Sequence, residues 1–172
     1  ENSITAIIPK KEGGIWLGTG KKGLIFYHHF NGKMEVFQKE ANKNSIASNT
    51  IFDISNDSQG NLWMGTSGGV SFFNTSNLLF KNYQHDQDAS GSLSNNLFFS
   101  IFVSSNGNVW AGPEGGGLSL LSIKDGNFIN YKYNALDDHS LSNDDVYSIY
   151  ETRDGILWIG TYNGGVNKYD PL

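Results

Sequence analysis

The chain has 172 residues, enough for one domain or a piece of a larger one, and 38% of them are hydrophobic and 13% aromatic, which supplies a core. A net charge of −5, with Lys10-Lys11 and Lys21-Lys22 the only basic doublets, excludes the concentrated basic surface that a nucleic-acid partner requires. The absence of Cys excludes disulfides and thiolate metal sites, and no apolar run approaches the roughly 18 residues of a membrane span.

In chain order the pattern is β throughout. Strands are predicted at 3–8, 14–19, 23–30 and 34–38, then at 49–56 (NTIFDISN), 61–66 (NLWMGT), 70–75 (VSFFNT) and 78–83 (LLFKNY). The apolar residues of 49–56 do not alternate strictly, as expected of a strand buried on both faces. The segment 84–95 leads to strands at 96–103, 108–112, 117–122 and 127–133. Three more follow at 145–151, 156–161 and 165–169, and the sequence ends at Asp170-Pro171-Leu172 before a fourth. Gly13-Gly14, Gly60-Asn61, Gly107-Asn108 and Asp154-Gly155 supply the positive φ that hairpin turns demand. No segment reads as a convincing helix.

The elements repeat. Trp16, Trp63, Trp110 and Trp158 are separated by 47, 47 and 48 residues. Gly13, Gly60, Gly107 and Gly155 stand three residues before them, Gly18, Gly65, Gly112 and Gly160 two after, and Ile7, Ile54, Ile101 and Ile149 nine before. Four units result, at 1–44, 45–91, 92–139 and 140–172, the last lacking its outermost strand. A four-stranded unit of about 40–50 residues is the signature of a β-propeller blade. The fold class is therefore all-β, a partial β-propeller forming a single domain of about four blades of four antiparallel strands. The Trp fills the wedge between neighbouring blades, and the following Gly permits close approach. An open arc leaves apolar faces at both ends, so self-association is expected, with further blades or a second copy as the partner.

The runs SLSNDDVYSIYETRDGILWIGTYNGGVNKYDP (140–171) and SIASNTIFDISNDSQGNLWMGTSGGVSFFN (45–74) closely resemble the two-component regulator propeller repeat. The first unit keeps the spacing but has Lys22 where the others carry Gly. The resemblance implies the extracytoplasmic sensor region of a bacterial hybrid two-component protein: two seven-bladed propellers, an immunoglobulin-like domain, a membrane helix and a histidine kinase. It further implies a membrane-anchored, periplasmic-facing sensor that responds to oligosaccharides. Residues 1–20 lack a signal-peptide pattern, so any targeting segment is expected outside them.

Other motifs carry less. Gly18-Thr-Gly-Lys-Lys-Gly23 matches G-x-G-x-x-G, but a strand pattern rather than a helix follows it, so nucleotide binding is not expected. The turn before Trp is similar to the sialidase Asp box, yet Asp57 stands three residues before Gly60, and Glu12, Asn106 or Asp154 adjoin the Gly in the other units, so the match fails. The acidic pairs Asp86/Asp88, Asp137-Asp138 and Asp144-Asp145 read as turn residues. His28, His29, His85 and His139 lack metal-ligand spacing. No catalytic residue, metal or cofactor is therefore expected. The function expected is non-catalytic ligand recognition, and the alternative is a lyase or glycosidase on a propeller scaffold. Candidate ligand contacts are the turn residues that differ between units: Lys21, Lys22, Glu114, Tyr162 and Asn163, with Tyr162 able to stack on a sugar ring.

Overall fold

The computed structural model describes residues 3–10, 13–41, 44–122 and 126–171; Lys11, Glu12 and Leu172 lie outside them. The described residues form fifteen strands and no helix. Blade 1 holds β1 (Ile4–Lys10), β2 (Gly14–Thr19), β3 (Leu24–His28) and β4 (Met34–Phe37). Blade 2 holds β5 (Ile51–Asn56), β6 (Leu62–Thr66), β7 (Gly69–Asn74) and β8 (Leu79–Tyr83). Blade 3 holds β9 (Phe98–Val103), β10 (Val109–Pro113), β11 (Leu118–Leu121) and β12 (Phe128–Tyr131). Blade 4 holds β13 (Val146–Glu151), β14 (Leu157–Thr161) and β15 (Gly165–Tyr169). Each sheet is an antiparallel meander in chain order. The first strands, β1, β5, β9 and β13, are successive neighbours, which makes them the inner strands about the axis. The G-x-G-x-x-G sequence lies on the β2–β3 hairpin, where no helix offers its N-terminus to a phosphate.

Strands β5 and β9 start two residues later than the hydrophobic pattern suggests. The carbonyl oxygens of Asn49 and Asn96 instead accept hydrogen bonds from the N–H groups of Gly23 and Gly69 on the preceding blade. Their side chains latch the same blade, Oδ1 of Asn49 accepting from Lys39 N–H and Oδ1 of Asn96 from His85 N–H. Asp144 repeats the latch on Gly117 and Tyr133.

Packing between blades follows one rule used three times. Trp16, Leu24 and Phe26 of blade 1 meet Ile51, Ile54, Leu62, Met64 and Phe73 of blade 2. Trp63 and Val70 meet Phe98, Ile101 and Val109. Trp110 and Leu118 meet Val146, Leu157 and Ile159, with Ile149 packed alongside. The Trp face of one blade thus covers the Ile face of the next. The ends of the arc lack this cover. Ile7 is 60% exposed on the first face, and Trp158 is 41% exposed on the last, against 5%, 8% and 2% for Trp16, Trp63 and Trp110.

The Gly after each Trp makes room for the next blade's inner strand. A Cβ on Gly65 would stand 2.9 Å from the Phe98 carbonyl oxygen, and one on Gly112 2.6 Å from that of Val146. At Gly160 the nearest atom is only the Ser148 hydroxyl on the same blade. Gly65→Ala is therefore expected to destabilise the chain by about 1–3 kcal/mol by overpacking, and Gly160→Ala by under about 1 kcal/mol. Equal urea midpoints for the two variants would show that the blades slide apart freely.

The break in alternation along the inner strands has a different origin from burial on both faces. Each carries a β-bulge, with register shifts between Ile4 and Ala6, Ile51 and Asp53, Phe98 and Ser100, and Val146 and Ser148. The residues skipped by the ladder are Thr5, Phe52, Phe99 and Tyr147.

Candidate functional site

A bulge re-aims the side chain it carries. Here it turns one residue per blade toward its neighbours around the axis, at the end of the inner strand that faces the β2–β3-type turns. Phe52 and Phe99 meet edge to face with centroids 5.3 Å apart. Phe99 and Tyr147 stack at 4.6 Å, and Tyr147 lies 5.8 Å from Tyr162 of the β14–β15 turn. The result is a continuous strip of four rings across blades 2 to 4. Phe52 and Phe99 are half-buried, while Tyr147 and Tyr162 are exposed. In blade 1 the bulged residue is Thr5, whose hydroxyl donates to the Ile51 carbonyl at 2.7 Å, so the aromatic strip begins at Phe52.

The strip is held from below. Asp53, next to Phe52, accepts hydrogen bonds from the N–H groups of Ile54 at 2.8 Å and Ile101 at 3.0 Å. Ser55 accepts from Val103 N–H at 3.0 Å. These side chains satisfy inner-edge donors of β9 that no strand pairs, and they fix blade 3 against blade 2. Burial pushes the Asp53 carboxyl above the ordinary carboxylate range, while the two N–H bonds oppose that rise. At the other end Asp145 ties the strip's rim, its Oδ1 accepting from Gly115 N–H at 2.6 Å and its carbonyl from Tyr162 N–H at 2.9 Å.

Of the five residues singled out in the sequence, Tyr162 joins the strip. Asn163 is exposed beside it and adopts φ 56°, which Asn tolerates better than most residues. Glu114 is exposed on the equivalent turn of blade 3. Lys21 and Lys22 are exposed on the turn of blade 1, so two blades separate them from Tyr162 and Asn163. The Lys22 exception to the Gly pattern has a packing reason. A Cβ on Gly68 would stand 2.8 Å from the Ala47 carbonyl oxygen, and one on Gly164 2.8 Å from Asn143, both on the segment entering the blade. The described residues put no such segment beside Lys22.

Phe52, Phe99 and Tyr147 escaped the sequence reading, although each stands two residues before the repeated Ile. Their period was visible; their direction was not.

Two of the three acidic pairs serve turns, while Asp144 and Asp145 accept from Tyr133 and Gly115 N–H of the preceding blade instead. Asp86 accepts from Asp88 N–H and Asp137 from His139 N–H, both at 3.0 Å. Asp57 holds its own hairpin through Gln59 and Asn61. Among the described residues no group of three or more His, Cys, Asp or Glu could hold a metal ion. Among the described residues no helix is long and apolar enough to cross a membrane. A cleft of about 960 Å³ opens on the opposite face between blades 2 and 3, over Trp63, Tyr83 and Leu121. Its counterpart between blades 1 and 2 holds about 390 Å³. Leu121 stands there where Phe73 closes the first cleft by stacking on Phe80 at 4.4 Å, so packing accounts for it.

A family model described as two component regulator propeller matches residues 45–68 and 140–163. No curated protein matches the chain. Among solved structures, the chain is 24% identical to the extracellular domain of a protein described as the hybrid two component system BT3049 from B. thetaiotaomicron. That match has a TM-score of 0.80 over 96% of this chain and 23% of the other. The corresponding domain of BT4673 from the same organism gives 21% identity and a TM-score of 0.75, over 99% of this chain and 24% of that one. The WD40 beta propeller domain of Doa1 gives 12% identity and a TM-score of 0.67, over 100% and 50%. The chain thus spans under a quarter of the length of the two B. thetaiotaomicron domains. With the sheets arranged as blades, this chain is a segment of β-propeller, and two of its repeats, at residues 45–68 and 140–163, match the two component regulator propeller model.

Proposed function

We propose that this segment is a non-catalytic ligand-recognition part of the extracytoplasmic sensor region of a hybrid two-component signalling protein, and that its ligand is an oligosaccharide. The matched repeats and the extracellular two-component domains with the same fold support the sensor role. The strip Phe52–Phe99–Tyr147–Tyr162 carries the ligand assignment. A sugar ring has apolar faces that stack on aromatic rings and hydroxyl edges that seek polar partners. The strip offers both, with its rings flanked by Glu114 and Asn163. In the whole protein the sensor lies on the periplasmic side and is anchored in the membrane, with a histidine kinase as its output.

The test is calorimetric titration of the chain with a panel of oligosaccharides. Tyr147→Ala and Tyr162→Ala are each expected to weaken binding about tenfold, the equivalent of one lost stacking contact. Phe30→Ala, an exposed ring away from the strip, is expected to change nothing. Binding that survives both Tyr substitutions would move the site elsewhere. Release of reducing ends from the panel, abolished by a single Asp or Glu substitution, would replace the sensor reading with an enzyme.

A further inference from the structure

The wedge between blades 1 and 2 and the wedge between blades 2 and 3 are built from the same pair of cross-strand rows. One row is the Trp face. It reads Ile8, Trp16, Phe26, Glu35 on blade 1 and Ser55, Trp63, Phe72, Lys81 on blade 2. The other is the facing row of the next blade. It reads Asn56, Leu62, Phe73, Phe80 on blade 2 and Val103, Val109, Leu121, Phe128 on blade 3.

Between blades 1 and 2 the outer part of the wedge is filled. The Phe73 ring lies 5.6 Å from Trp16. Lys10 Nζ sits 5.1 Å from the centre of the Phe26 ring, and His28 packs edge to face on the same ring at 4.6 Å. His28 also holds Glu35, Nε2 to Oε1 at 2.7 Å, so the charge at the end of this row has a partner.

Between blades 2 and 3 none of these devices recurs. Leu121 stands in the place of Phe73. Asp57 and Asn74 stand in the places of Lys10 and His28, and both turn into their own hairpins, Asp57 toward Gln59 and Asn61 and Asn74 toward the N–H groups of Ser76 and Asn77. Lys81 stands in the place of Glu35. Its Nζ lies 4.7 Å from the centre of the Tyr83 ring, and it has no carboxylate partner among the described residues. The cleft that results holds about 960 Å³ against about 390 Å³ in the first wedge, and small-molecule sites run to about 1,000 Å³.

We propose that the cleft between blades 2 and 3 binds a small aromatic carboxylate, its ring system between the Trp63–Phe72 wall and the Val103–Val109–Leu121 wall and its carboxylate at Lys81. The body of the ligand follows from the walls, which are apolar on both sides. The rim offers a sugar little. Ser104 already donates toward Asn106 and the Asn108 carbonyl, Ser105 is bound to Glu151, and Asp57 is occupied as above, so hydroxyls around a sugar edge would lack partners. The charge of the ligand follows from Lys81, a cation held on a ring face at the mouth of an apolar cleft, where an anion gains a charge-assisted hydrogen bond. This site lies on the face opposite the aromatic strip and is independent of the oligosaccharide reading.

The probe is naphthalene-2-carboxylate, titrated into the chain by calorimetry, with naphthalene-2-carboxamide as its neutral counterpart. The carboxylate is expected to bind saturably, and the amide at least about tenfold more weakly. Lys81→Met, a change at an exposed side chain, is expected to weaken the carboxylate about tenfold and to leave the amide unchanged. Leu121→Phe restores the ring that Phe73 supplies in the first wedge and is expected to abolish binding of both. Tyr162→Ala, in the strip, is expected to change neither, so loss of oligosaccharide binding and loss of this site are read separately. The proposal is overturned by absence of saturable carboxylate binding, by equal binding of acid and amide, or by a Lys81→Met chain that keeps the preference for the acid. It is also overturned by a Leu121→Phe chain with unchanged circular dichroism that binds normally. Tighter binding of glucuronate than of naphthalene-2-carboxylate would overturn it too, by making the occupant a sugar acid.

Discussion

Trp63→Ala is expected to lower the stability of the chain by about 3–5 kcal/mol, the usual range for removing a large aromatic residue from a packed site. Trp63 sits between blades 2 and 3 against Phe72, at 4.8 Å, and Tyr83, at 5.8 Å. It belongs to the cluster that includes Phe98, Ile101, Val109 and Leu121. Removing the indole leaves a void bounded by two sheets that their bulges and latches hold in place, so collapse fills little of it. For a chain of this size the loss corresponds to a fall in midpoint of roughly 6–20 °C. Trp158→Ala is the internal comparison: the same residue at the same place in the repeat, with one face in solvent. It is expected to cost under about 2 kcal/mol. Thermal melts followed by circular dichroism compare the two, and a Trp63→Ala chain that melts within a degree or two of the parent would contradict an interblade wedge.

The isolated chain is expected to self-associate at micromolar concentration, and substitutions at the two ends of the arc are expected to return it to an 18.9 kDa monomer. The reason is the repeated interface. Blade 1 presents the exposed Ile7 and Val36 at the two ends of a cross-strand row that also holds half-buried Leu17 and buried Ile25. Blade 4 presents Tyr150 and Trp158 in a row on the opposite kind of face, with Val166 beside them. Those faces are the two halves of the contact made three times inside the chain, so each is a template for the other. Uncovered apolar faces of this kind associate. Two copies carry six complete blades and two three-stranded ones, and a head-to-tail pair closes if the rotation per blade permits. Ile7→Arg combined with Trp158→Arg charges both faces and leaves the internal interfaces untouched. Static light scattering decides: a parent chain that is already a clean monomer and binds no hydrophobic dye would show that the end faces are covered in some other way.

The sequence by itself determined the number of blades and the strands within them, and it picked out Trp16, Trp63 and Trp110, which the structure buries between blades. Trp16, Trp63, Trp110 and Trp158 recur in phase with their glycines, and a period survives in one dimension because every blade has to solve the same wedge-packing problem. The turn residues were legible for a similar reason, since positive φ is a local demand. The directions of side chains were decided only in three dimensions. A one-residue bulge turns Phe52, Phe99 and Tyr147 away from the alternation of their strands and into contact with Tyr162, and nothing in the spacing distinguishes a bulged residue from a buried one. The partners of Asp53 and Ser55 were equally hidden. Their acceptors serve N–H groups of Ile101 and Val103 on the next blade, 48 residues along, and that juxtaposition arises from the rotation of one sheet onto its neighbour. A repeat specifies its own sheet through local pairing; the strip exists because successive sheets bring their bulged residues side by side around a common axis.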